Sequence, residues 1–152
     1  MDEINLKKEL YELCREFILG RIETAETALE QSREASNDDT KSSAGDKFET
    51  TREMMAQDIG RTKGLLADAQ QNLKVLESII DVSIGERVRN GNLVYTNQGI
   101  FYISISAGSL SSGKSQAFAI SALSPVGKMM VGKKVGESFT FNQKEYQITA
   151  IF

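Results

Sequence analysis

Histidine and tryptophan are missing from these 152 residues, and cysteine and proline occur once each, as Cys14 and Pro125. Without histidine there is no Ser-His or Cys-His nucleophile pair and no imidazole metal ligand. A single thiol cannot close a disulfide within the chain, and Cys14, set in a helical pattern, reads as packing. No apolar run reaches the length of a membrane span. The stretch MDEINLKKELYELCREF is acidic and amphipathic and lacks a signal peptide's unbroken apolar core, which predicts a cytoplasmic protein. Carboxylates, lysines and backbone groups are what remain for chemistry.

Charge and glycine divide the chain near Asp81. Residues 1–80 hold 17 acidic and 11 basic side chains, whereas residues 81–152 hold 4 and 7. Four of the 12 glycines lie in the first part and eight in the second. The C-terminal excess of positive charge is too small to argue for nucleic-acid binding by itself. The expected organisation is a helical hairpin over 1–80 and a separate β domain over 81–152.

In the first part apolar residues recur at steps of three and four. One run reads Leu6, Leu10, Leu13, Phe17, then shifts to Ile18, Ile22, Ala25 and Leu29. The other, Met55, Ile59, Thr62, Leu66, Ala69, Leu73, Leu76 and Ile80, keeps a strict heptad. Between them Ser36–Lys47 is small and polar, a connection that predicts two long antiparallel helices with a tip at 36–47. Gly60 and Gly64, four apart, read either as a close-approach site or as two tolerated weak points, the second being favoured. So narrow a seam buries little apolar area for its length. The hairpin is therefore expected to serve as a rod that carries its tip.

After Asp81 the period becomes two. Leu93–Thr96 and Ile100–Ser106 read as a hairpin around Asn97-Gln98-Gly99, with further strands at Gln116–Ser121, Ser138–Phe141 and from Glu145 onward. Ser124 as N-cap, Pro125 at the first helical position and Gly132 beyond the end predict one short helix packed by Val126, Met129 and Met130. The fold class is α+β: a two-helix coiled-coil hairpin, then an antiparallel sheet of about five strands with one short helix.

Gly108–Ser115, GSLSSGKS, matches the Walker A pattern letter for letter. A phosphate-binding loop needs its Gly-Lys-Ser to open a helix that crosses back to a parallel strand. Only nine residues separate Lys114 from the breaker pair Ser124-Pro125, too few for such a crossover. The eight residues are expected to be a loop joining two antiparallel strands, with no ATP bound.

Residues Ile120–Glu137, ISALSPVGKMMVGKKVGE, together with Gly85-Glu86-Arg87-Val88 and the Tyr146–Ile151 strand, resemble the bacterial Gre-type transcript cleavage factors (GreA/GreB). The resemblance runs along the whole chain and is strongest in the second part. It implies an FKBP-like second domain that docks on RNA polymerase beside its secondary channel, with Ser124, Pro125, Val126, Gly127 and Lys128 on the partner-facing surface. It also implies a coiled coil that enters the channel and brings tip carboxylates to the polymerase's Mg²⁺ and the nascent RNA. The factor is then not itself an enzyme and has no cofactor of its own. Its carboxylates help hold a divalent ion and orient water in the polymerase's own hydrolysis of backtracked RNA.

At the tip the sequence departs from the family pattern. Phe48 and Arg52-Glu53 match, and Asp38 or Asp39 stands for the first acid and shared metal ligand. Three residues further on lie Lys41 and Ser42 instead of a second acid. Asp46 or Glu49 are the remaining candidates, and a solvated, capped turn is the plain alternative for all four. A cleavage-inactive relative that occupies the channel, and an FKBP-like chaperone or peptidyl-prolyl isomerase with a coiled-coil extension, are the other functional readings.

Overall fold

A computed structural model describes residues 2–39, 45–82 and 84–152, with side chains described outside 36–48. Helix α1 is Asp2–Asp39 and α2 is Gly45–Ser78, followed by β1 Leu93–Thr96, β2 Gly99–Ser104, β3 Gly108–Ser112, β4 Ser115–Ser121, α3 Pro125–Met130, β5 Ser138–Phe141 and β6 Lys144–Ile151. The expected α+β class and long antiparallel hairpin are present. The chain forms two compact units, one of Ile18–Asn72 and one of Met1–Phe17 with Leu73–Phe152. Among the described residues no helix is long and apolar enough to cross a membrane.

The unit Ile18–Asn72 is the greater part of the hairpin. At ~1.5 Å rise per residue, α1 with 38 residues and α2 with 34 run to roughly 50–60 Å. Of the predicted heptad, Ala69 is buried and Met55, Ile59, Thr62 and Leu66 are half-buried, whereas their neighbours Met54 and Leu65 are exposed. On α1 the seam differs from the prediction: Leu10, Cys14 and Ile18 are fully buried at steps of four, while Leu13 and Phe17 are half-buried. Within the predicted tip, the backbone is helical to Asp39 and again from Gly45. A Cβ placed on Gly60 or Gly64 meets nothing within 4 Å, so neither glycine serves close approach. Gly60→Ala with Gly64→Ala is therefore expected to raise stability by about 1–2 kcal/mol, from helix propensity alone. A denaturation midpoint below that of the parent chain would refute this.

In the other unit the strand order is β3-β4-β2-β1-β6-β5. This corrects the expected sheet twice. There are six strands, and β2 pairs with β4 in parallel, Phe101 opposite Phe118 and Ile103 opposite Ile120. The remaining pairings are antiparallel. Strand β2 is covered on both faces, which gives the near-continuous apolar run FYI. One face carries Phe101 and Ile103 into a core with Val88, Val94, Met130, Phe139, Ile148 and Ile151. The other carries Tyr102 and Ser104, and there the Cys14 Sγ lies 3.7 Å from the Ser104 Oγ. Burial pushes the Cys14 thiol up, in keeping with a packing role.

Helix α3 forms as predicted, with Val126 and Met129 packed on that core and Met130 fully buried. Buried Asn92 ties the start of β1 to the chain just after β6. Its Nδ2 donates to the Phe152 carbonyl at 3.2 Å, and its Oδ1 accepts from the Arg89 amide at 2.8 Å.

Candidate functional site

The segment Ser121–Lys128 turns the chain from β4 into α3, and its hydrogen bonds define a rigid corner. The Ser121 carbonyl accepts from the Ser124 amide at 3.0 Å and from the Ser124 Oγ at 2.7 Å. The Gly127 amide donates to the same Oγ at 3.1 Å, and the Lys128 amide to the Ser124 carbonyl at 2.8 Å. The serine thus satisfies the first orphan amides of α3. At the far end the Val131 amide bonds the Gly127 carbonyl, and the Gly132 amide bonds the Val88 carbonyl at 2.8 Å. Arg87 Nη1 reaches the Gly132 carbonyl at 2.8 Å.

These bonds divide the five candidate contact residues. Ser124 is occupied in capping, Val126 faces the core, and Gly127 is buried against the Ser121 carbonyl. Pro125 and Lys128 are exposed. Beside them Leu123 is 79% exposed, the most exposed large apolar side chain described, and sequence reasoning did not select it. Its signal was present but easily missed. A hydrophobic residue just before an N-cap usually packs on the residue four positions after the cap. Here that position is Lys128, which offers no apolar partner, so Leu123 is left in solvent. The corner therefore presents an apolar side chain, a proline ring and an ammonium group.

The tip candidates fall elsewhere. Asp38 and Asp39 are the last two residues of α1, and Asp46 is the second of α2. The side chains of all three lie outside the described residues. Glu49 is exposed on α2, as are Arg52 and Glu53. Among the described residues no three carboxylate or thiol side chains gather to hold a metal ion.

GSLSSGKS differs from the expected loop. Gly108–Ser112 is strand β3, paired antiparallel with β4 from Gly108 opposite Ala119 to Ser112 opposite Ser115. The two-residue turn is Gly113-Lys114, with Gly113 at φ 59° and Lys114 not in the left-handed region. That is the glycine-first arrangement of a type II′ hairpin turn, so the Gly-Lys pair satisfies turn geometry. Ser115 opens a strand, where a phosphate-binding loop would open a helix.

Compared with models of known protein families and with curated protein sequences, the chain finds no match in either.

Proposed function

We propose that this protein is a Gre-like accessory factor that binds bacterial RNA polymerase and acts on backtracked transcripts in the secondary channel. The observation that carries the reading is the Ser121–Lys128 corner. The residues that resemble the family there have distinct physical jobs, a cap, a tight contact and a core anchor, and together they hold Leu123, Pro125 and Lys128 outward as a docking patch. An α-helical hairpin in the same chain supplies the second part such a factor needs. In this reading the β domain holds the polymerase, and the tip acids Asp38 and Asp39, with Asp46 or Glu49, work at the polymerase's own Mg²⁺. The factor brings no nucleotide site and no metal of its own.

Capture of purified core polymerase on the immobilised full chain tests the docking. Leu123→Asp and Lys128→Glu are each expected to weaken capture about tenfold, since an exposed apolar anchor and a rim charge carry contact energy of that order. Loss of capture by neither variant would place the polymerase contact elsewhere. No capture by the parent chain would end the proposal and favour an isomerase reading, which a proline-peptide assay checks. Capture without transcript shortening, even with manganese, would leave a channel-occupying modulator.

A further inference from the structure

Within the unit of Met1–Phe17 and Leu73–Phe152 lies a cavity of about 570 Å³, in the range of small-molecule sites. It opens among the start of α1, the segment after α2 and the C-terminal Phe152. Three isoleucines on its wall, Ile4, Ile80 and Ile84, are 50%, 61% and 60% exposed. Ile80 was expected to extend the α2 heptad. The helix instead stops at Ser78, Ile79 turns inward with 4% exposure, and Ile80 is left on the cavity wall. Exposed apolar side chains gathered on one concavity mark a ligand surface more often than scattered ones do.

The cavity's charged lining is mixed, Lys7 and Lys8 with Glu12 and Asp81. Lys7 is half-buried, its Nζ donating to the Val82 carbonyl at 3.0 Å. Burial, and then the like charge of Arg89, hold that ammonium below the usual lysine range. The bond it donates goes to a neutral carbonyl, and the ammonium's further N–H groups suit an anion. Burial, and then the carboxylates of Glu12, Glu77 and Asp81, push the Tyr11 hydroxyl up.

We propose that this cavity binds an amphiphilic carboxylate, an aliphatic chain of about ten to twelve carbons lying against Ile4, Ile80 and Ile84 with its head group on the Lys7 ammonium, as suits a site of this size.

Titration calorimetry of the full chain with sodium dodecanoate, below its micelle concentration, is the test. One saturable site is expected, with dodecanol binding about tenfold more weakly, since it lacks the charge. Lys7→Gln should weaken dodecanoate about tenfold or more and leave dodecanol unchanged, a charge-specific signature that general destabilisation does not produce. Ile84→Asn, at an exposed position that folding tolerates, should weaken both ligands. The proposal is overturned by absence of saturable binding, by equal affinity for the alcohol, or by an unchanged Kd in Lys7→Gln. It is equally overturned by a dimer in sedimentation that Ile80→Asn with Ile84→Asn dissolves, because a second copy would then cover the isoleucines.

Discussion

Asp38→Asn with Asp39→Asn is expected to slow factor-stimulated transcript shortening in stalled polymerase complexes by about 100-fold, with capture of the polymerase unchanged. The size follows from losing preorganised charge stabilisation at a phosphoryl centre, which removes about two to three orders of magnitude in comparable sites. Asparagine keeps the side-chain shape and removes only the charge, so the two readouts separate chemistry from docking. Asp38 and Asp39 are the last two residues of α1. Circular dichroism of the double variant, expected to match the parent chain, excludes unfolding as the cause of a lost activity. Asp46→Asn and Glu49→Gln, made singly, assign the second acid: whichever slows shortening replaces the carboxylate absent at Lys41 and Ser42. If the double variant shortens RNA at the parent rate, these aspartates are a solvated helix end and the tip has no part in hydrolysis.

How far the chain could be read from sequence depended on which physical signal fixed each element. Helix α2 was legible because Met55 to Leu76 keeps one period, and a two-helix seam imposes that period. The α1 seam was less so: near its start the helix is buried against the sheet as well, so Cys14, whose thiol contacts Ser104, replaces Leu13 in the buried row. The short helix α3 was legible from its capping chemistry, since Ser-Pro at the start and glycine after the end act locally. Strand β3 was not. Its residues, GSLSS, have low strand propensity, and the strand exists through pairing with β4 and a cross-strand bond from Gln116 Nε2 to Ser109 Oγ at 2.6 Å. The chain reverses into β3 and again into β4, so β4 runs parallel to β2, and missing β3 gave that pairing the wrong direction. Leu123 was missed for a related reason. Whether an apolar residue before a cap is buried depends on its partner four residues past the cap, and the solvated answer becomes visible only with the corner folded.

Gly127→Ala is expected to destabilise the β domain by about 3 kcal/mol and, with it, to weaken polymerase capture more than any surface change at the corner. Space, not backbone conformation, makes glycine necessary here. A Cβ at this position would stand 2.1 Å from the Ser121 carbonyl oxygen and 2.9 Å from the Ser124 Oγ. The carbonyl cannot move away freely. It already accepts the Ser124 amide and hydroxyl, and Ser121 is held in β4 opposite Ser104 of β2. Relief must come from lifting the first turn of α3, which breaks the cap and draws Val126 and Met130 from the core. Overpacking of a tight site costs about 1–3 kcal/mol and loss of a cap about 1 more. Ser124→Ala, which removes the cap without the clash, should therefore cost only about 1 kcal/mol and set the scale. Urea denaturation followed by circular dichroism measures both: the midpoint should fall much further for Gly127→Ala, with the slope preserved if unfolding stays two-state. A Gly127→Ala chain within about 0.5 kcal/mol of the parent, the usual range for harmless surface changes, would mean that the corner yields. The proposed docking patch at Leu123, Pro125 and Lys128 would then lack the rigid support that binding requires.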